Sequence, residues 1–301
     1  MYLFVVNKKS ANGGGYRTWK QIETMLKHRR IPYKLIYTES PDQAQALVTE
    51  MLSLPEEWRA VAVIGGDGTI HSVLPALRGQ TIPLAVIPAG SGNDTARAFH
   101  IPFKPADSLD VMLNGTARQI DLISTSGDPT VTALAIGFDA EIAHTVNNRW
   151  YKKFCNMLRI GSVAYIIGLL ELLVTFKPAK VTLSIDGETK EYDDTWMTAV
   201  SNIPSYGGGM RICPQAQSND GILDICIVHR CTRLQLFRMF PTVLSGQHVN
   251  LPFVTMLRGR TVTVQSERPF LGIGDGELVT TTPLTASVDE GALFVLCPKE
   301  D

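Results

Sequence analysis

The most chemically suggestive feature of the sequence is an aspartate set among glycines at the end of an apolar run. In Val61-Ala62-Val63-Ile64-Gly65-Gly66-Asp67-Gly68-Thr69-Ile70, small aliphatic residues lead into three glycines, an aspartate and a threonine. Glycines let main-chain N–H groups approach an anion with no Cβ in the way, so the turn suits a phosphate. A carboxylate beside phosphate is repulsive unless a divalent cation bridges the two or the acid orients a nucleophile. Asp67 therefore points to phosphoryl transfer rather than to simple anion storage. The plainer reading is a glycine-rich turn carrying a solvated acid.

Two more turns of this kind occur upstream and downstream. Strand-like Tyr2–Val6 ends at Asn7 and is followed by Ser10-Ala11-Asn12-Gly13-Gly14-Gly15, which opens onto a segment with Trp19, Ile22 and Leu26 at helical spacing. Pro83–Ile87 ends in Pro88-Ala89-Gly90-Ser91-Gly92-Asn93-Asp94. For Asn93 and Asp94 the plain alternative is a helix cap. The Ser10–Gly15 turn is neither a P-loop nor a dinucleotide fingerprint, because GxxxxGK[ST] and GxGxxG with its acidic partner are both missing there.

These turns need strands to hold them. Tyr2–Val6, Tyr33–Thr38, Ala60–Ile64 and Pro83–Ile87 alternate with helical patterns, the first carrying Trp19, Ile22 and Leu26 and the next two at about residues 41–51 and 69–78. Ser40-Pro41 supplies N-cap and N1 chemistry for the second of these. The alternation predicts an α/β domain over residues 1–120, with a parallel sheet flanked by helices. Ligands of such sheets gather at the carboxyl ends of the strands, where all three turns lie. Beyond the turn at Asn114-Gly115 the pattern becomes β-rich. Strands are expected at Gln119–Ser124, Val131–Ile136, Lys180–Ile185, Trp196–Ser201, Leu223–Val228, Thr261–Gln265 and Ala292–Leu296, with a helical insertion from about Asp139 to Phe176. This predicts a mostly antiparallel β-sandwich domain over residues 121–301.

The 301 residues are 45% hydrophobic and 19% charged with a formal net charge of −1, so two packed domains are expected and a basic nucleic-acid footprint is not. The five cysteines form no CxxC pair, which favours reduced thiols over a disulfide framework or a structural zinc site. Met1–Val6 lacks a signal-peptide pattern, and Val163–Phe176 is shorter than the roughly 20 residues of a membrane span and contains Glu171. Arg149-Trp150-Tyr151-Lys152-Lys153-Phe154 interleaves cations and aromatics, a composition suited to lipid headgroups as well as to an ordinary solvated face.

With these segments in order, the sequence resembles the diacylglycerol kinase catalytic-domain family of bacterial lipid kinases, relatives of sphingosine and ceramide kinases. The resemblance rests on Gly65–Thr69, Pro88–Asp94, Gly137-Phe138-Asp139-Ala140, Pro214-Gln215-Ala216 leading to Asp220–Asp224, and Asp275-Gly276-Glu277. The first loop departs from it, with Asn7-Lys8-Lys9-Ser10-Ala11 where the family often has Asn-Pro followed by Ser-Gly. The resemblance implies an NAD-kinase-like first domain, a lipid-substrate second domain with its C-terminal tail able to pack back on the first, and transfer of the ATP γ-phosphoryl group to a lipid hydroxyl such as diacylglycerol. By match, ATP would be held by Asn7, Lys8, Lys9, Ser10, Ala11, Thr38, Gly65, Gly66, Asp67, Gly68, Thr69, Ile70, His71 and Ser91. Glu277 would be the general base, with Asp275 its rival and with Asp67 and Asp94 as catalytic partners. A Mg²⁺ ion would sit on Asp220 and the carbonyls of Gln217 and Ile222. A cytoplasmic protein in transient contact with the inner membrane face, with scope for a homodimer, is also implied. The alternatives are an NAD kinase and a non-catalytic nucleotide- or lipid-sensing module.

Overall fold

The computed structural model describes residues 1–148 and 170–299. Cys155, the Arg149–Phe154 segment and most of the apolar stretch after it lie outside the described residues. Contacts divide the chain into two units. One comprises Met1–Leu122, Gly207–Gly209 and Asp289–Asp301, the other Ile123–Tyr206 and Met210–Val288.

In the first unit β1 (Tyr2–Asn7) is central, flanked in parallel by β2 (Tyr33–Thr38) and β3 (Ala60–Gly65), with β4 (Leu84–Pro88) beside β3. The near-continuous aliphatic runs of β1, β3 and β4 are buried on both faces, as a parallel sheet covered by helices requires. The covering helices here are α1 (Ser10–His28), α2 (Pro41–Leu52), α3 (Asp67–His71), α4 (Leu74–Leu77), α5 (Asp94–Ala98) and α6 (Pro105–Asn114). Ser40 caps α2 by accepting from the Gln43 N–H, with Pro41 in the first turn. Trp19 and Phe4 meet at 5.2 Å between ring centroids, and Tyr33 closes on Trp19 at 5.4 Å, so α1 is fixed on β1 and β2 by three aromatics.

Two features of this unit differ from the sequence expectation. Ala11, Asn12 and Gly13 hold left-handed conformations, so the regular turns of α1 begin only after them. The expected helix over 69–78 is two short pieces, α3 and α4, separated by Ser72 and Val73 and with Pro75 in the second.

The second unit is antiparallel. β6 (Ala133–Gly137) pairs with the end of β8 (Glu188–Ser201) and with β12 (Leu271–Gly274), which pairs with β13 (Glu277–Thr281). β7 (Ala179–Ile185) pairs with the first half of β8 and with β11 (Thr261–Ser266). β9 (Leu223–His229) lies on the second half of β8, with β10 (Val254–Gly259) beyond it. The two remaining strands cross the boundary of the contact units in sequence: β5 (Thr116–Ser124) and β14 (Leu284–Cys297). Early residues of β14 pair with β11, and its Val295 reaches β4 in parallel.

Among the described residues, the α-helices of the second unit are α7 (Phe138–Asn148), the helical residues 170–175, here α8, and α9 (Arg233–Ser245). Phe138, Phe176, Trp196 and Phe270 form its aromatic centre. α9 was not anticipated, although its start carries a readable signal. Thr232 and Gln235 form a reciprocal capping box, and Gly246 ends the helix in a left-handed conformation.

Trp19 is fully buried, so Trp19→Ala should lower the stability of the first unit by about 3–5 kcal/mol, while Trp19→Phe keeps the ring contacts and should cost far less. Thermal melts followed by circular dichroism would show the ranking. Equal melting points for the two variants would contradict it.

Candidate active site

The three glycine-rich turns come together within the first unit. Asn7, at the end of β1, donates from Nδ2 to Thr69 Oγ1 at 3.3 Å, and its own Oδ1 accepts from the Lys9 N–H at 3.0 Å. Ser10 Oγ donates to the Ala89 carbonyl at 2.9 Å, which ties the first loop to the turn after β4. The turns after β3 and β4 touch through their backbones. A Cβ added to Gly66 would lie 3.0 Å from Gly90 Cα, and one added to Gly90 would collide with Gly66. Only glycine permits this approach of the two backbones.

Asp67 locks the arrangement. Its Oδ2 accepts from the Asp94 N–H at 3.1 Å, and its Oδ1 accepts from the Thr95 N–H at 3.0 Å and from Thr95 Oγ1 at 3.1 Å. The acid at the start of α3 thus caps α5, where exposed amide donors and the helix dipole both favour negative charge. Asn93, itself at φ 53°, clasps Gly90 reciprocally, accepting from its N–H at 2.9 Å and donating to its carbonyl at 3.0 Å.

Asp94 is buried and close to Asp67. A Cβ on Gly92 would stand 3.1 Å from Asp67 Oδ2 and 3.2 Å from Asp94 Oδ2. Burial pushes the Asp94 carboxyl up to about 6, helped by the charge on Asp67. Hydrogen bonds from the Gly208 and Gly209 N–H groups and the charge of Arg97 act in the opposite sense. Those amides donate to Asp94 Oδ1 at 2.9 Å and 3.1 Å. Gly207, Gly208 and Gly209 all have positive φ, so the run can present successive N–H groups to one carboxylate. Sequence reading passed over this triglycine. Its signal was the unbroken run of three glycines, with no strand pattern to give them a purpose.

The remaining residues expected at the nucleotide site fall into two groups. Thr38, Thr69, Ile70 and His71 are buried at strand ends and in α3, while Lys8, Lys9, Ala11 and Ser91 are exposed. Lys8 Nζ rests 3.7 Å from the centre of the Tyr37 ring, and Lys9 Nζ lies 3.6 Å from a Glu39 carboxylate oxygen.

In the second unit the two rival acids of the β12–β13 hairpin separate clearly. Asp275 is buried at φ 51°, and its carboxylate accepts from the Val131 N–H at 2.9 Å, the Thr132 N–H at 2.8 Å and Thr132 Oγ1 at 2.6 Å. It fastens the start of β6 with three donors on its carboxylate. Glu277 is exposed at the start of β13. Asp139 of the GFDA segment accepts from Tyr206 Oη at 2.6 Å, and burial pushes its carboxyl up while that bond opposes the shift. Tyr206 also pairs with Met210 through both main-chain bonds, at 3.1 Å and 2.9 Å, closing the loop that carries the triglycine.

At the expected metal position, Asp220 Oδ1 accepts from the Ile222 N–H at 3.1 Å, and its Oδ2 is paired with Arg258. Arg258 also reaches buried Asp224, with Nε 3.4 Å from Oδ1. Gln217 is exposed nearby in sequence. Among the described residues no three or more His, Cys, Asp or Glu are placed to hold a metal, so a cation here would depend on one carboxylate and main-chain oxygens. A carboxylate offers about four lone-pair positions, so Asp220 retains room for a hydrated hard cation, with the guanidinium as competitor.

Comparison with known proteins gives the following. The diacylglycerol kinase catalytic domain model matches residues 1–125, and that of the YegS C-terminal NAD kinase beta sandwich-like domain matches residues 132–297. A diacylglycerol kinase of Mycobacterium tuberculosis (strain ATCC 25618 / H37Rv) is 33% identical over 303 residues, covering 98% of this chain and 94% of its own. A diacylglycerol kinase of Bacillus subtilis (strain 168) is 30% identical over 225 residues, covering 73% and 72%. A solved structure of a Bacillus anthracis str. Sterne diacylglycerol kinase superposes with a TM-score of 0.72 at 17% identity, covering 98% of this chain and 96% of its own.

The raised pKa of Asp94 has a defined consequence for stability. A carboxyl raised from 3.8 to about 6 contributes stability that is fully present below the unfolded value and is lost as pH rises through the folded value. Relative to Asp94→Asn, the wild-type protein should therefore lose on the order of 2–3 kcal/mol between pH 4 and pH 7. Urea denaturation of both proteins across that range measures the gap, and a gap independent of pH would refute it.

Proposed function

The chain belongs to the diacylglycerol kinase catalytic-domain family, and from that premise we propose that it transfers the γ-phosphoryl group of ATP to a lipid hydroxyl such as that of diacylglycerol, with Mg²⁺ as the supporting cation. It is a lipid kinase; the nucleotide, the ion and the lipid are the finer reading. The observation that carries this reading is the backbone contact of Gly66 with Gly90 beside the Asp67 cap. A Cβ at either glycine would force the two turns apart, so the turns meet as bare backbone, a surface without side chains that suits a polyphosphate.

In this reading the first unit is the nucleotide-binding domain, and Asn7, Ser10, Ala11, Thr38, Gly65, Gly66, Gly68, Thr69, Ile70, His71 and Ser91 form or support the cradle. Lys8 and Lys9 are exposed, Lys8 over the half-buried Tyr37 ring and Lys9 beside Glu39, and could turn toward phosphate to offset its charge. The ion bound with ATP would neutralise charge that Asp67 and Asp94 otherwise repel. A second, hydrated ion would rest on Asp220 with the carbonyls of Gln217 and Ile222. The second unit is the lipid-substrate domain and supplies Glu277 as general base, taking the proton of the attacking hydroxyl. The engagement of Asp275 with Val131 and Thr132 leaves Glu277 as the carboxylate with freedom to act. Such a base contributes about 10²–10⁴-fold to rate.

Radiolabelled ATP offered with diacylglycerol in mixed micelles, with other lipid alcohols or with NAD tests the reaction. Label in the organic phase is expected; label on NAD, or on no acceptor, would reject the proposal. Glu277→Gln should lower kcat by about 10²–10⁴-fold with the fold intact, whereas Asp275→Asn should chiefly lower the melting temperature. The reverse pattern would make Asp275 the base.

Magnesium binding has its own expected signature. Because Arg258 shares the Asp220 carboxylate, Arg258→Gln should destabilise the protein by about 1–2 kcal/mol without Mg²⁺ and enlarge the rise in melting temperature on adding Mg²⁺. An unchanged Mg²⁺ response would argue against an ion at Asp220.

A further inference from the structure

Helix α9 buries one face and exposes a second apolar one. At about 100° per residue, Leu236, Met239 and Val243 fall together and are buried in the sandwich core. Leu234, Phe237 and Leu244 fall on the opposite side within an arc of about 80° and are 56%, 46% and 65% exposed. Surface helices normally turn polar residues outward, so this face lacks the usual reason to be solvated.

The patch extends beyond the helix. Arg233 Nε donates to the Leu173 carbonyl at 2.9 Å and its second nitrogen to that of Phe176 at 3.3 Å, so the first turn of α9 meets the last turn of α8. There Val174 is 71% exposed. Arg233 and Arg238 border the apolar arc of α9 on its two sides, and both are exposed. From Ile225 to Ser266 the chain has no Asp or Glu, while arginine occurs at 230, 233, 238, 258 and 260.

We propose that the outward face of α9, with Val174 of α8, is the surface by which the protein docks on an anionic lipid bilayer, Leu234, Phe237 and Leu244 entering the interface and Arg238 meeting lipid phosphates. The proposal rests on the lipid-kinase reading, since the acceptor of that reaction resides in a bilayer. Apolar residues flanked by arginines on a helix whose own stretch of chain carries no acid match the chemistry of a headgroup layer over acyl chains, and Glu171 on α8 is the acid nearest Val174 in sequence. A second copy of the chain fits less well, because a two-fold contact through this face would set the α9 arginines of both copies against each other. The surface also differs from the Arg149–Phe154 segment that the sequence singled out.

The test uses the full chain, vesicles of phosphatidylcholine alone or mixed with phosphatidylglycerol in equal parts, and co-sedimentation. The triple variant Leu234→Ser, Phe237→Ser, Leu244→Ser should bind the anionic vesicles roughly tenfold or more weakly than wild type. Arg238→Glu, at an exposed position, covers the case of a misfolded triple variant and should weaken binding roughly fivefold or more. Both variants should phosphorylate a short-chain diacylglycerol dispersed as monomers at the wild-type rate and lose activity only on vesicle-borne substrate. Wild-type binding by both variants would overturn the proposal, as would a wild-type dimer in vesicle-free solution that the triple variant converts to monomer. If wild type binds vesicles through this face but phosphorylates no lipid in either form, the docking surface stands and the reaction assignment falls.

Discussion

The first unit depends on one carboxylate doing the work of a cap for a helix that is not its own. Asp67 starts α3, yet its oxygens accept the Asp94 and Thr95 amides and the Thr95 hydroxyl at the head of α5. This joins the turns after β3 and β4 while Gly66 and Gly90 stand in backbone contact. Charge-assisted hydrogen bonds of this kind are among the stronger polar links in a fold, and here they hold the two turns together.

The second carboxylate extends this logic. Asp94 is buried and faces Asp67, an arrangement whose electrostatic cost is partly offset by the Gly208 and Gly209 amides and by Arg97. Elsewhere in the chain acids do structural work that resembles catalytic equipment in sequence. Asp275 pins β6 with three hydrogen bonds, and Asp220 and Asp224 share Arg258. Only their partners distinguish such acids from Glu277.

Much of this was legible in the residues. The alternation of aliphatic runs with helical spacing gave the parallel sheet of β1 to β4, because burial on both faces removes polar residues from those strands. The three glycine turns at strand ends were also readable, and they meet one another in the fold. The capping box at Thr232 was equally readable, but α9 went unseen because apolar residues on both of its faces blur the helical period. The break between α3 and α4 was hidden for the opposite reason, since Ile70, Leu74 and Leu77 keep a helical spacing across it.

What the sequence by itself determined is the set of chemical groups: a Gly-rich turn with its acid, a second with Asn93 and Asp94, the carboxylates near the C-terminal end, and the order of strands and helices that carries them. These follow from local rules of spacing and conformation, which act over a few residues. Tertiary structure alone decided which acids are engaged and which are available. It brought Gly208 and Gly209 to Asp94 across more than a hundred residues, gave Asp275 to Thr132 and Asp220 to Arg258, and left Glu277 exposed. A carboxylate's role depends on burial and on the donors around it. Those donors arrive from distant segments, which no local pattern can announce.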